Sequence, residues 1–62
     1  SLEATAAELA FQPGDRIRHD IMGAGTVVAL DRDQNAYIIK FDDLATQRKI
    51  SFKAKLLAEI NQ

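Results

Sequence analysis

Hydrophobic and polar residues alternate in short runs from residue 15 onward, and turn-forming residues separate the runs. This pattern predicts β-strands, because successive side chains of a strand point to opposite faces. The predicted strands are Arg16–His19, Thr26–Leu30, Ala36–Phe41 and Thr46–Phe52, with turns at 20–25, 31–35 and 42–45. The tail from Lys53 to Ile60 is predicted to form one helical or 3₁₀ turn and then a short closing strand.

The same alternation predicts which side chains face the core. The predicted inward residues are Ile17 in the first strand, Tyr37, Ile39 and Phe41 in the third, and Ile50 and Phe52 in the fourth. Five short strands around one core predict an all-β fold, a small five-stranded SH3-like or Tudor barrel, whose closure removes exposed strand edges. A five-stranded OB-like barrel is the alternative fold.

Residues 1–11 have a different character from the rest of the chain. They are rich in strong helix formers, and Thr5 and Glu8 have the spacing of a capping box. The segment Gln12-Pro13-Gly14-Asp15 then interrupts the helical pattern with turn-forming residues. The sequence therefore predicts a linker at 1–11, with at most one or two helical turns, and a barrel at 12–62.

Composition indicates one small folded domain. A chain of 62 residues has room for a single core, and 47% hydrophobic with 27% charged residues is the balance of a globular domain rather than a disordered tail. The chain has no cysteine, which fits a reducing cytoplasm, and no stretch resembles a membrane helix or a signal peptide. We therefore expect a cytoplasmic monomer without a membrane partner.

The net charge of -1 argues against a generic nucleic-acid-binding domain, which is usually clearly basic. The charge is nevertheless uneven, since residues 1–15 contain three acids and no base, whereas 46–55 contain four bases and no acid. Lys49, Ser51, Lys53 and Lys55 have the same parity and would share one face of a strand that runs that far. Arg48 and Lys49 are the best candidates for contacts with an acidic partner, and a solvated face is the alternative.

The acidic residues and the single histidine do not indicate catalysis. His19 has no evident nucleophile or metal-ligating partner in the sequence. Asp31, Asp33, Asp42 and Asp43 lie in predicted turns, where aspartate is favoured for its hydrogen bonds to the backbone. We therefore predict no catalytic residues, no metal site and no small-molecule substrate.

The segment Gly23-Ala24-Gly25 could suggest a phosphate-binding loop. It lacks the further glycine of a dinucleotide fingerprint and the Lys-Ser/Thr of a P-loop, and it precedes a strand rather than a helix. These glycines are instead expected to permit a sharp turn and a close approach of two backbones. No cofactor is predicted.

The aromatic residues are few, with three Phe, one Tyr and no Trp. Phe41 and Phe52 fall on apolar faces, Phe11 lies in the linker where it could pack as a lid, and Tyr37 is the one ring with a polar end to expose. A methyl-lysine cage and a stacking platform for single-stranded nucleic acid both need several exposed rings. Neither is predicted.

Two stretches, Phe11–His19 and Met22–Val28, resemble the C-terminal Tudor-like module of UvrD/PcrA-type superfamily 1 DNA helicases. The shared pattern reads GDRVxHxxFGxGTVV. It continues with a charged hairpin, a third strand ending in Phe and a short strand that opens with basic residues, here Arg48-Lys49-Ile50. The resemblance covers about residues 11–60, and Met22 stands where the family usually has Phe or Trp.

The resemblance implies a non-catalytic adaptor of a bacterial ATP-dependent helicase whose motor domains lie upstream. Such modules dock on RNA polymerase, here expected through its β subunit, and on repair partners in transcription-coupled DNA repair. The basic position that opens the fourth strand, matched by Arg48, is implicated in docking. The predicted partner contacts are Arg48 and Lys49, with Arg16, Arg18 and Tyr37 as further candidates. The alternatives are weak nucleic-acid backbone binding by the basic fourth strand and a structural cap on the parent enzyme.

Overall fold

The computed structural model describes residues 9–60, and this part of the chain is all-β. The strands are β1 (Arg16–His19), β2 (Gly23–Asp31), β3 (Ala36–Phe41), β4 (Arg48–Ser51) and β5 (Leu57–Ala58). They form one antiparallel sheet in the order β4-β3-β2-β1-β5. The predicted class, a small five-stranded barrel-like domain, is confirmed. The helix predicted near Thr5 and Glu8 lies outside the described residues.

Both bounds of β2 and both bounds of β4 differ from the prediction. β2 begins at Gly23 rather than Thr26, because Gly23 pairs with His19 across a tight turn. β4 begins at Arg48 rather than Thr46 and ends at Ser51 rather than Phe52, where the chain turns. The Ser51 carbonyl accepts the Ala54 N–H at 3.0 Å, and the Ser51 hydroxyl accepts the Lys53 N–H at 3.0 Å. This turn takes the place of the predicted helical turn, and the predicted closing strand follows it as β5.

The strand order leaves two edges in the described part of the sheet. β1 to β4 each pair with their neighbours in sequence, and β5 returns to lie beside β1. β4 and β5 are not hydrogen-bonded to each other, so the predicted removal of all edges by closure is wrong. The sheet therefore has one open edge along β4 and another along β5.

The core lies on the inner face of this curved sheet. Its buried side chains are Ile17, Val27, Tyr37, Ile39, Phe41 and Ile50. The Tyr37 ring packs edge-on against Phe11 at a centroid distance of 6.0 Å and against Phe52 at 4.9 Å. Phe11 thus packs as the predicted lid. Tyr37 itself is only 1% exposed, so the prediction that its ring contacts a partner is wrong.

The turn between β1 and β2 and the pairing of β2 with β3 require the glycines of the segment 23–25, and the turn gives His19 its hydrogen-bond partners. Gly23 has a φ of 80°, which favours glycine, and Gly25 lies so close to β3 that a Cβ there would meet the Lys40 carbonyl oxygen at 2.9 Å. The His19 Nδ1 accepts the backbone N–H groups of Ile21 and Met22 at 3.1 and 3.2 Å. The predicted sharp turn and close backbone approach are confirmed, and the histidine holds the turn together.

Candidate functional site

Arg16 is fixed by partners within the chain. Its guanidinium donates to the two carboxylate oxygens of Asp42 at 2.8 and 2.6 Å, and to Glu59 Oε2 at 3.0 and 2.7 Å. A further bond reaches the Thr26 hydroxyl at 3.0 Å. These hydrogen bonds link β1 to the turn after β3 and to the end of β5. The geometry therefore gives Arg16 a structural role, in place of the predicted partner contact.

The Arg16 ion pair also sets the charge state of Asp42. The hydrogen bonds from Arg16 hold the pKa of the Asp42 carboxyl below its ordinary value of 3.8, and the same bonds raise the pKa of Arg16. A depressed carboxyl pKa in the folded state contributes stability that is present above the unfolded pKa. That contribution disappears as the pH falls through the folded pKa.

We expect Asp42→Asn to lower the urea midpoint of unfolding near neutral pH, because the charged partner of Arg16 is lost. The difference from the unsubstituted chain should shrink as the pH is lowered below the ordinary Asp42 pKa of 3.8. Urea unfolding at a series of pH values measures this. Asp43→Asn is the matched control, since the Asp43 carboxylate has no ion pair within residues 9–60. A pH-independent gap for Asp42→Asn would contradict the expectation.

The two candidate cations at the start of β4 are in different situations. Lys49 Nζ lies 3.2 Å from Asp31 Oδ2 and donates to Gln34 Oε1 at 3.0 Å. This contact lowers the pKa of Asp31 and braces the β2–β3 hairpin. Arg48 is exposed, and its guanidinium makes no hydrogen bond or ion pair with any described residue. Arg48 is the freer charge of the two.

Arg48 lies beside an open line of backbone groups. The Phe52 N–H donates to the carbonyl of Asn35, its opposite residue in the register, at 2.9 Å. Because bonded and non-bonded pairs alternate in an antiparallel ladder, the backbone groups of Lys49 and Ser51 point away from β3. The Ser51 carbonyl is used by the following turn, which leaves its N–H and both groups of Lys49 on the open edge. We call Arg48 with this row of groups the β4 edge.

β4 does not run far enough to place Lys49, Ser51, Lys53 and Lys55 on one face of a strand. Lys53 lies in the turn after β4 and Lys55 follows it, because Ser51 ends the strand. Arg18 is not on the β4 edge either, since it lies on β1, which β2 and β3 separate from β4 in the strand order. Of the predicted contact residues, Arg48 and Lys49 lie together on β4, whereas Arg16 and Arg18 lie together beside Glu59.

Arg18 lines a groove that was not predicted from the sequence. The groove encloses about 400 Å³ and is lined by Arg18, His19, Asp20, Lys55 and Leu57. Leu57 is 61% exposed although it belongs to a strand. The residues come from β1, the following turn and the segment around β5, so only the pairing of β5 with β1 assembles them. No local pattern in the sequence indicates the groove.

The described residues offer neither a cluster of metal ligands nor a membrane-spanning helix. Within residues 9–60, no three His, Cys, Asp or Glu side chains are grouped as metal ligands. None of the structure in that range is a helix of the length and apolar character needed to cross a membrane.

Comparison of the chain with protein-family models, with curated proteins and with solved structures finds no match in any of the three.

Proposed function

We propose that this chain is a non-catalytic protein-docking module of a cytoplasmic, UvrD/PcrA-like bacterial DNA helicase. It contacts RNA polymerase, through the β subunit, or a repair partner in transcription-coupled DNA repair. The observation that supports this proposal is the free guanidinium of Arg48 beside the open β4 edge. The resemblance of residues 11–60 to such modules supplies the partner class.

The β4 edge suits a protein partner because it offers two kinds of contact at one place. Outward backbone groups of Lys49 and Ser51 can pair with a strand or loop of another protein. The Arg48 guanidinium can form a bidentate pair with a carboxylate of that partner. The short strand and the charged Lys49 limit indiscriminate pairing with other edges. Docking then depends on a carboxylate placed to meet Arg48.

Nucleic-acid binding is less well supported by the same residues. Binding to a phosphate backbone requires several cations along one track. Here Lys49 is paired with Asp31, and Lys53 and Lys55 lie beyond the end of β4. The rings of Phe11 and Phe52 pack on Tyr37, so they do not form a free stacking platform. We therefore place the nucleic-acid interpretation second.

The proposal predicts that Arg48→Glu weakens binding to an RNA polymerase β-subunit fragment by about tenfold or more, since arginines at the centre of an interface often dominate its affinity. Amide NMR titration of the labelled chain measures both the affinity and the contact surface. Lys53→Glu is the matched control, because it makes the same charge change at an exposed residue beyond β4. It should alter the affinity little.

Parallel titrations with single- and double-stranded DNA at physiological salt distinguish the alternatives. Shifts around Arg48 with DNA alone, lost steeply as salt is raised, would identify a nucleic-acid-binding surface instead. No shifts with either polymerase or DNA would favour the structural cap. Equal losses of affinity for Arg48→Glu and Lys53→Glu would indicate general electrostatic attraction and contradict specific docking at the β4 edge.

A further inference from the structure

The opposite edge of the sheet also has unpaired backbone groups. The Glu59 N–H donates to the Arg16 carbonyl at 3.1 Å, and these two residues lie opposite each other in the continuation of the β1–β5 register. The alternation of an antiparallel ladder then directs the backbone groups of Leu57 toward β1 and those of Ala58 outward. Ala58 therefore offers one N–H and one C=O to an added strand.

The side chains around Ala58 leave apolar surface exposed on both faces of β5. Leu57, which lines the groove, is 61% exposed. Ala58 is also exposed, and Ile60, two residues later at the same parity, is 75% exposed. Exposed apolar side chains beside an unpaired strand edge are typical of interaction sites.

The charge of the groove favours an acidic partner. Lys55 forms no ion pair within residues 9–60, and the Arg18 side chain is 58% exposed. Arg18 lies 3.5 Å from Glu59 Oε1, while the other Glu59 oxygen is bound by Arg16 at 2.7 Å. The acid that lines the groove, Asp20, has a side chain that is 86% exposed, with Oδ1 3.4 Å from His19 Nδ1. Two cations thus line the groove, and the carboxylate that pairs with Arg18 is shared with Arg16.

We propose that the β5 edge, formed by Leu57 and Ala58 with Arg18 and Lys55, is a second docking site that takes an extended peptide of alternating acidic and apolar residues. The peptide residue opposite Ala58 forms two backbone hydrogen bonds and lies on the apolar face with Ile60. Its two neighbours lie on the other face, beside Leu57, Arg18 and Lys55, where carboxylates are favoured. This site is independent of Arg48, which lies at the other end of the sheet.

The test is an amide NMR titration with a blocked seven-residue peptide that alternates glutamate and valine, beside a matched peptide with lysine in place of glutamate. The acidic peptide should shift the amides of Arg18, Lys55 and residues 57–59, and the basic peptide should not. Ala58→Pro should weaken binding about tenfold, because it removes the outward N–H and leaves the inward bonds of β5 intact. Lys55→Glu, which changes no backbone group, should weaken it similarly.

Arg48→Glu is the control, and it should bind the acidic peptide as well as the unsubstituted chain does. The proposal is overturned by several results: no shifts at about 1 mM acidic peptide, shifts centred on β4, equal binding of the basic peptide, or undiminished binding by Lys55→Glu. If Lys55→Glu weakens binding but Ala58→Pro does not, and β5 is still paired with β1, the peptide is held by charge attraction and not by strand addition. If a DNA oligonucleotide shifts the amide signals of these residues and the peptide does not, the partner of this edge is nucleic acid rather than a peptide. None of these results depends on RNA polymerase, so the site can fail without the proposed function failing.

Discussion

Phe41→Ala should leave most of the chain unfolded at room temperature. The Phe41 side chain is fully buried at the end of β3, where its ring packs edge-on against His19 at 5.9 Å. Truncating a buried phenylalanine costs about 3–5 kcal/mol. A core of this size supplies a total stability of only about 3–5 kcal/mol. Far-ultraviolet circular dichroism and urea unfolding of the variant measure the loss.

Two variants make the Phe41 result interpretable. Phe41→Leu keeps most of the buried volume and should remain folded with a lower urea midpoint. Ile21→Ala removes an exposed apolar side chain from the β1–β2 turn and should change the stability by no more than about 0.5 kcal/mol. If Phe41→Ala retained a cooperative transition close to that of Ile21→Ala, the assignment of Phe41 to the centre of the core would be wrong.

Gly25→Ala should destabilise the domain by about 1–3 kcal/mol, or more if the backbone cannot move. Gly25 is buried in β2 opposite Phe41, and an added Cβ would lie 2.9 Å from the Lys40 carbonyl oxygen and 3.0 Å from Phe41 Cα. Both neighbours are backbone atoms of β3, so relief requires β2 and β3 to separate. Urea or thermal unfolding of the purified variant gives the cost.

Gly23→Ala separates close packing from backbone conformation. A Cβ at Gly23 would meet no atom within 4 Å, but the φ of 80° there is unfavourable for alanine. The expected cost is about 1 kcal/mol, from backbone strain alone. A larger loss for Gly23→Ala than for Gly25→Ala would show that the turn, and not the contact between β2 and β3, limits stability.

The strands were predictable where alternation alone determines them. β1 and β3 have the predicted bounds, and the inward positions of Ile17, Ile39 and Phe41 follow from a period of two. The start of β2 was not predictable in this way, because Gly23 becomes part of a strand only by pairing with His19. The end of β4 depends on the two hydrogen bonds that Ser51 accepts in the next turn.

The candidate contact residues were harder to judge, because their environments are formed by residues distant in sequence. Tyr37 was correctly predicted to lie on the inner face, but its hydroxyl suggested that the end of the ring would be exposed. The rings of Phe11 and Phe52, which come from outside β3, pack against Tyr37 instead. Arg16 finds partners 26 and 43 residues away. Alternation along a strand contains no information about either contact.

Arg48 and Lys49 illustrate the same limit at short range. They are adjacent and both basic, so the sequence alone does not indicate which of them is available to a partner. The β2–β3 hairpin places Asp31 and Gln34 beside Lys49, whereas Arg48 meets no described acid. Which of two neighbouring cations is available thus depends on a hairpin that precedes them in the chain.

The return of β5 to β1 affects the order in which the domain folds. The strands β1 to β4 are joined by short turns, so each hairpin closes at a small cost in chain entropy. β5 must instead close a long loop, since Arg16 and Glu59 are 43 residues apart. Such a pairing is favoured late, after the hairpins have formed the core. Contacts that form after the transition state slow unfolding without speeding folding. We therefore expect the Arg16–Glu59 ion pair to lengthen the lifetime of the folded domain rather than to speed its folding.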